Sequence, residues 1–331
     1  MRKIRQSNFE LLRIVAMFMI LVLHADFWSN GAPNANDFNV SPLSSTTRAL
    51  IEMMAIVSVN VFVMISGWFG IKVSMKSFGN FVFQCLYFYI GIYGVMLLFG
   101  IVPLSVKGIA GCFVLTKANW FVRAYLGLYI LSPVLNAFLE HCSKRQLEYV
   151  LVSFYTFQTI YGCIGLADFV CNGYSTFSFI GLYLLARYLR FYSNAIFKYG
   201  GVIYIVSVLA NTLLFYVLTR FNISRFDVIG YANPIVVLGA AELIMWTAQL
   251  NIKPSKVINF VGASSFAVFL LHGNPNIGVP VYKSLMQYLY TAFSGFTCLV
   301  VMFVALVLIF TIAVLLDQPR KWIWSHVSQY V

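Results

Sequence analysis

Long apolar stretches, separated by short polar or charged connections, make up most of this chain. The stretches are mostly about 17–25 residues long, the length that an α-helix needs to cross a bilayer, and they lack the strict alternation of barrel strands. Because the hydrocarbon region offers no water to backbone polar groups, such stretches are expected to be helices. The pattern predicts membrane-spanning helices at residues 10–29, 49–70, 78–101, 119–139, 147–167, 175–192, 200–219, 228–250, 257–273 and 295–316.

The overall composition agrees with this pattern. Of the 331 residues, 61% are hydrophobic and only 10% are charged, whereas a soluble domain of this length needs far more polar surface. We therefore predict an all-α fold, a polytopic transmembrane helix bundle of about ten spans in contact with the lipid bilayer. Residues 1–331 are expected to form this single domain, with no soluble domain.

The formal net charge of +12 does not indicate a nucleic-acid partner, because the basic residues lie singly or in pairs and form no basic stripe. Cytoplasmic connections of membrane proteins are enriched in Lys and Arg. With a cytoplasmic N-terminus, fourteen basic residues lie inside and six outside, which favours that orientation and, with an even number of spans, a cytoplasmic C-terminus. The inside set is Arg2, Lys3, Arg5, Lys72, Lys76, Lys144, Arg145, Arg187, Arg190, Lys198, Lys253, Lys256, Arg320 and Lys321; the outside set is Arg48, Lys107, Lys117, Arg220, Arg225 and Lys283.

Three further features bear on organisation. The first apolar stretch follows basic residues as a signal peptide does, but it is too long for one and contains Arg13 and His24, so we expect a retained helix. The segment 281–292 (VYKSLMQYLYTA) is predicted to form an interfacial amphipathic helix. The six cysteines show no Cys-x-x-Cys pair, so neither a disulfide framework nor a metal site is expected.

Ionisable residues inside the predicted spans are costly in lipid and usually face a protein interior or a cavity. Arg13 and His24 in the first span are eleven residues apart, close to three helical turns, so both lie on nearly one face. At 1.5 Å per residue they are separated by about 16 Å along the axis. This places Arg13 near the inner surface and His24 near the outer surface.

Other polar residues are predicted at the level of His24. Glu52, Arg123 and His272 lie near the outer ends of their spans, whereas Glu242 lies deeper. Two histidines, two carboxylates and an arginine near one level form a candidate site.

Each of these residues also has a structural interpretation. His24 could be a packing histidine, Glu52 and Arg123 could form an ion pair between helices, and Glu242 could be a satisfied packing group. Arg187 and Arg190 are first of all cytoplasmic charges, with phosphate binding as the alternative.

Several segments resemble the acyltransferase 3 family of bacterial membrane O-acyltransferases. The opening LLRIVAMFMILVLHADF is similar to the family's first helix, with Arg13 and His24 in its Arg-x10-His pattern. NVFVMISGWFGIK is similar to the Ser-Gly element, ANWFVRAYLGLYILSPVLN to the Trp-to-Pro-Leu-Asn helix, and SSFAVFLLHGNP to the Tyr-Leu-x-His element, with Phe269 where tyrosine is common. One departure is that Lys72 and Lys76 stand where many members carry an Arg-x-x-Arg pair.

The resemblance implies transfer of an acetyl group, or another short acyl group, from cytoplasmic acetyl-CoA to a carbohydrate hydroxyl at the outer face of a bacterial cytoplasmic (inner) membrane. The acceptor would be a surface polysaccharide or its lipid-linked precursor. The implied donor-binding residues are Arg13, Lys72, Lys76, Arg187 and Arg190. The pantetheine arm would extend along the first helix towards His24.

At the outer end, the implied general base is His24, because imidazole titrates near neutral pH. Asp26 or Glu52 would orient it, and Arg123 or His272 would stabilise the oxyanion. Direct transfer and a covalent acyl-histidine both remain open. A second hypothesis is a polysaccharide or lipid transporter or flippase that uses the intramembrane ionisable residues as a proton relay.

Overall fold

A computed structural model describes residues 5–165, 167–192, 199–223 and 227–329. The basic residues Arg2, Lys3, Lys198 and Arg225, used above for orientation, lie outside these residues. Within the described ranges the chain forms helices and no β-strand. The α-helices are α1 Ser7–Ala25, α2 Phe27–Asn30, α3 Ala35–Val40, α4 Pro42–Ala55, α5 Ser58–Phe69, α6 Met75–Leu98, α7 Val106–Cys112, α8 Trp120–His141, α9 Lys144–Phe157, α10 Thr176–Tyr192, α11 Gly200–Arg220, α12 Pro234–Gln249, α13 Lys256–Gly262, α14 Ser265–His272, α15 Pro275–Ile277, α16 Ser284–Ala292 and α17 Gly295–Val327.

Every apolar stretch predicted to span the membrane contains a helix, which confirms the all-helical prediction. By length and composition, six described helical segments can cross a membrane: Ser7–Asn30, Pro42–Phe69, Met75–Leu98, Trp120–His141, Gly200–Arg220 and Gly295–Val327. A seventh span is possible if Lys256–His272 and Pro275–Ala292, bent by 56°, count as one broken helix. The number of ten spans and the side of each terminus stay predictions.

Two of the shorter helices, α10 and α12, lie largely inside the bundle. α10 has 17 residues and α12 has 16, and α10 packs against α5, α8 and α12. The side chains of Phe179, Tyr183 and Ala186 in α10 are fully buried. A helix surrounded by protein does not need a full apolar surface of membrane length.

Several predicted helix ends differ from those observed. The first span is broken at Asp26, which has φ −99° and ψ −92° between α1 and α2. The last predicted span, 295–316, continues as α17 to Val327, because Asp317 pairs with Arg320 one turn later and stabilises the polar extension. The predicted amphipathic segment 281–292 is helical, in α16 and the π-helical turn before it.

The first helix has a central position in the bundle. α1 packs against α4, α5, α12, α13, α14 and α17. α5 is held close to α10 at Gly67, where an added Cβ would lie 2.8 Å from the Tyr183 carbonyl oxygen and 2.9 Å from Ala186 Cβ. Small residues at such crossings allow helix backbones to approach closely. The central helix can therefore bring its polar residues to groups from several neighbours.

Candidate active site

Two histidines from separate helices are hydrogen-bonded to each other. His24 lies in the last turn of α1 and His272 is the last residue of α14. His24 Nδ1 is 2.9 Å from His272 Nε2, and His272 Nδ1 is 2.6 Å from the Val268 carbonyl oxygen. The tertiary fold therefore joins two of the predicted site residues, which are 248 positions apart in sequence.

The hydrogen bonds define the tautomers of this pair. Because the Val268 carbonyl can only accept, His272 Nδ1 carries its proton, and the neutral ring then offers Nε2 as an acceptor. His24 must consequently donate from Nδ1, which leaves the lone pair of its Nε2 free. No described residue forms a hydrogen bond to that nitrogen. The chain Val268–His272–His24 thus prepares one nitrogen to accept a proton.

The two rings differ in exposure. His272 is 1% exposed, whereas His24 is half-buried. The ring of Trp28, which is exposed, lies 5.4 Å from the ring of His24. His272 is therefore the enclosed partner, and His24 is the more accessible of the two.

Asp26 contacts a different residue from the one expected. Its Oδ1 accepts a hydrogen bond from Arg48 Nε at 2.7 Å and forms an ion pair with Arg48 Nη2 at 2.6 Å. Arg48 Nη2 also donates to the Gly31 carbonyl oxygen. Among the contacts of described residues, the group that orients His24 is an imidazole, and the Asp26 carboxylate belongs to a separate ion pair beside it.

Two further carboxylates, Glu52 and Glu242, are both buried. Glu52 in α4 and Glu242 in α12 each have an Oε2 atom without a hydrogen-bond partner. Glu52 lies against the backbone of Phe27, next to the break in the first helix. The expected Glu52–Arg123 ion pair is not among those formed by described residues, because the exposed Arg123 side chain instead reaches the Lys117 carbonyl oxygen at 3.5 Å.

Arg13 belongs to a charge cluster at the other end of α1. Its Nη1 is 3.0 Å from Glu10 Oε1, and Arg5 Nη1 is 3.1 Å from Glu10 Oε2. Glu10 is buried against Gly262 of α13, where an added Cβ would lie 2.6 Å from the carboxylate. One carboxylate shared by two guanidinium groups leaves a net positive charge, which suits an anionic ligand.

The Ser-Gly element lies next to this cluster. Ser66 Oγ and Tyr125 Oη are 2.9 Å apart, and the Arg13 guanidinium is close enough to Tyr125 to interact with it electrostatically. Phe9, one turn before Arg13, stacks on Trp68 with ring centroids 5.3 Å apart. Arg13 and the Ser-Gly element are therefore at the same end of the bundle.

Two further arginines reach this end from α10. Arg187 and Arg190 both donate to the Trp68 carbonyl oxygen, at 3.4 and 2.5 Å. Arg187 Nε is buried without a partner, and Gly70, at φ +76°, leaves room for this guanidinium because an added Cβ would lie 3.1 Å from Nη1. The arginines can thus bind an anion near Arg13.

The lysines that replace the Arg-x-x-Arg pair lie at the edge of this region. Lys72 and Lys76 are exposed, before and within the first turn of α6. Lys76 Nζ donates to the Ser328 carbonyl oxygen at 3.0 Å. Lys72 is accessible to a ligand, whereas Lys76 already contacts the C-terminal helix.

The space between Arg13 and His24 is filled by apolar side chains. Met17 and Ile20, on the same face of α1, are buried. A row of ring contacts connects the two levels: Tyr125 to Phe121 at 6.0 Å, Phe121 to Phe269 at 5.1 Å and Phe269 to His272 at 6.0 Å. Neither Arg13 nor His24 lines any of three cavities of about 490, 540 and 670 Å³ that lie elsewhere among the described residues.

A buried ionic cluster in α17 was not predicted as a structural element. Asp317, fully buried, binds Arg320 through both carboxylate oxygens at 2.8 and 3.1 Å and accepts from Gln84 at 3.2 Å. Arg320 also binds Asn80 at 2.8 Å, and Lys321 binds Ser264. In the sequence, the signal for this cluster is an acidic residue that directly follows a long apolar stretch and is itself followed three positions later by a basic residue. The cluster joins α17 to α6 and to the start of α14.

Comparison with known proteins adds one match. The model of a family described as an acyltransferase domain matches residues 6–317 of this chain, which is nearly its whole length. No curated protein and no solved structure matches the chain.

Proposed function

Because this chain belongs to the acyltransferase 3 family and is therefore a membrane acyltransferase, we propose that it transfers an acetyl or other short acyl group from cytoplasmic acyl-CoA to a carbohydrate hydroxyl. The acceptor is a cell-surface polysaccharide or its lipid-linked precursor, presented at the outer face of a bacterial cytoplasmic membrane. The observation that carries the proposal is the free Nε2 of His24 at the end of the Val268–His272–His24 chain. Both termini lie in the cytoplasm in this arrangement, with about ten spans between them.

In this proposal His24 is the general base. As the sugar oxygen bonds to the acyl carbon, His24 Nε2 takes the hydroxyl proton, and Nδ1–H keeps its hydrogen bond to His272. The thioester C–S bond breaks, and the proton passes from His24 to the departing thiolate. His272 thus positions His24 and disperses its developing charge, in place of the carboxylate that the sequence suggested for this role.

The donor binds at the opposite end of α1. The phosphates of CoA, three anionic groups on a flexible carrier, match the guanidinium groups of Arg13, Arg187 and Arg190. Arg187 Nε, buried and unpartnered, is a donor for one of these oxygens. Lys72 adds a positive charge at the rim, and Lys76 adds another, although its ammonium group is held by the Ser328 carbonyl.

The pantetheine arm runs between these ends beside the row of aromatic rings from Tyr125 to His272. Phe62, Phe81, Tyr125 and Phe266 are half-buried although they contact rings on neighbouring helices, which is consistent with space between those helices. Flexible side chains such as Met17 have to move to admit the arm.

Asp26, Glu52 and Arg123 have supporting roles in this proposal. Asp26 and its ion pair with Arg48 hold the break after His24. Glu52 supports that break through the backbone of Phe27. Arg123, exposed near the outer end of α8, contributes positive charge where the acceptor enters.

The direct test is to incubate membranes with acetyl-CoA labelled in the acetyl group and to measure ester label in extracted glycan. The wild-type protein should label the glycan, and His24→Ala should lower the rate on the order of 10²–10⁴-fold, the range for loss of a general base. His141→Ala is the matched control, because His141 is exposed and bonds only the Ala137 carbonyl. Full activity in the His24→Ala protein at normal membrane levels would exclude His24 from the mechanism.

Transport is the second candidate. The unpartnered Oε2 atoms of the buried Glu52 and Glu242 favour it, because intramembrane carboxylates are common in proton relays. A transporter would deliver unmodified glycan to the surface and would lose this ability in Glu242→Gln. If removal of the gene leaves a normal amount of surface glycan that lacks acyl esters, the protein acts as an acyltransferase and not as a transporter.

A further inference from the structure

A cavity of about 490 Å³ opens beside the end of α14 that bears His272. Its walls come from α6, from residues 102–117 and from the residues that follow His272. The polar lining includes Tyr93, Lys107, Thr116, Lys117, Asn274 and Asn276. We refer to it as the lysine cavity. It was not included in the site predicted from the sequence.

The strongest sign of a ligand in the lysine cavity is the side chain of Asn274. Asn274 is 1% exposed. Its Oδ1 accepts from the backbone N–H of Asn276 at 2.9 Å, which defines the orientation of the amide because only the oxygen can accept. Nδ2 is then a buried donor with no partner. Since an unmet buried donor is costly, the arrangement suits a ligand oxygen.

The positive charge of the lysine cavity favours an anionic ligand oxygen over a neutral one. Lys107 and Lys117 line it, both exposed at its rim, and neither takes part in an ion pair with a described residue. None of its lining residues is acidic. Arg123 reaches the Lys117 carbonyl and adds a third positive charge nearby. The charged side chains in and beside the cavity are therefore all cationic.

The position of the lysine cavity links it to catalysis. Asn274 follows His272 by two residues, and its N–H bonds to the Leu271 carbonyl oxygen at 3.3 Å. Arg13, Arg187 and Arg190, the proposed donor-binding residues, lie at the other end of the bundle. An anion bound here would thus be close to the proposed general base and far from the CoA phosphates.

We propose that the lysine cavity is the acceptor subsite and that it selects an acidic carbohydrate, one with a carboxylate or phosphate group. This inference rests on the proposed function. Lys107 and Lys117 pair with the anion, and Asn274 Nδ2 donates to a sugar or acid oxygen. Tyr89 and Tyr93 form an apolar and aromatic wall, as sugar rings require.

Binding to the detergent-solubilised full chain tests this selection independently of turnover. The probes are trigalacturonate and its carboxyl-reduced form, in which each carboxylate is replaced by an uncharged hydroxymethyl group, together with galactose 1-phosphate and galactose. An acidic probe should bind roughly tenfold more tightly than its neutral counterpart, the change expected for one charge-assisted hydrogen bond. The preference should weaken as salt increases.

Two variants of the cavity and one control variant locate the effect. Lys107→Gln/Lys117→Gln should remove the preference, whereas Lys253→Gln/Lys256→Gln, equal in charge change but at the far end of the α13–α14 pair, should keep it. Asn274→Asp keeps an oxygen for the Asn276 N–H but replaces the free donor with a carboxylate, so it should also remove the preference. The melting temperature of each variant shows whether it folds.

The outcomes separate this inference from the proposed function. Equal affinity for both members of each pair, or an acidic preference that survives in Lys107→Gln/Lys117→Gln, would overturn the acidic subsite, even if acetyl transfer to neutral sugars were observed. A lysine-dependent acidic preference without acetyl transfer to any acceptor would support the subsite and contradict the proposed function. A preference together with faster transfer to the acidic acceptor would support both.

Discussion

His24 and His272 form a hydrogen-bonded pair, with Nδ1 of the first 2.9 Å from Nε2 of the second. The Val268 carbonyl oxygen, 2.6 Å from His272 Nδ1, determines the direction of both hydrogen bonds. The pair therefore has one free acceptor, Nε2 of His24. In the proposed mechanism, this buried imidazole performs the positioning that a carboxylate performs in many acid–base pairs.

Removal of the acceptor that His272 Nε2 offers to His24 should slow the chemical step. His272→Phe keeps an aromatic ring but leaves His24 Nδ1–H without its partner, so kcat should fall roughly a hundredfold, at the low end of the range for acid–base catalysis. KM for both substrates should change little. His272→Gln, which can offer an amide oxygen near the same position, should recover part of kcat. A KM effect without a kcat effect would contradict a positioning role.

Arg13 should affect use of the donor. Arg13→Gln removes a positive charge from the cluster around Glu10, and KM for acetyl-CoA should rise roughly tenfold, as for loss of one charged hydrogen bond. Acetyl-pantetheine, which lacks the CoA phosphates, should be used equally by both proteins. Arg13→Lys should lie between them. An equal loss with both donors would mean that Arg13 does not recognise the phosphates.

Gly67 should be required for packing. In Gly67→Ala the new methyl group would lie 2.8 Å from the Tyr183 carbonyl oxygen, so α5 and α10 must separate, at a cost of about 1–3 kcal/mol. The melting temperature in detergent should fall. Gly94→Ala in α6, where nothing lies within 4 Å of the added Cβ, should not lower it. Equal melting temperatures would show that the crossing relaxes freely.

The Asp317–Arg320 pair should matter for stability more than for chemistry. Asp317→Asn leaves the Arg320 guanidinium, 3% exposed, without its counterion, and loss of one partner of a buried pair costs about 3–5 kcal/mol. The variant should unfold at a lower temperature, and the KM of the protein that remains folded should be unchanged. Asp168→Asn, on an exposed side chain, is the matched control. An unchanged melting temperature would mean that water reaches Arg320.

Local pattern was sufficient to predict that the apolar stretches are helical, because a helix satisfies its own backbone hydrogen bonds. It did not give the helix ends, several of which differ from the prediction. The pattern also placed Arg13 and His24 on one helix, since spacing along a helix is a local property. It could not place the helix break at Asp26, whose carboxylate pairs with Arg48, a residue 22 positions away.

Contacts between distant residues were decided only by the tertiary structure. The sequence contains His24 and His272 but not their pairing, and it contains Glu52 and Arg123, which the fold keeps apart. The unpartnered amide of Asn274 and the two lysines beside it likewise become one cavity only through packing. Side-chain chemistry depends on distances of about 3 Å, and chain order does not specify these distances when hundreds of residues separate the partners.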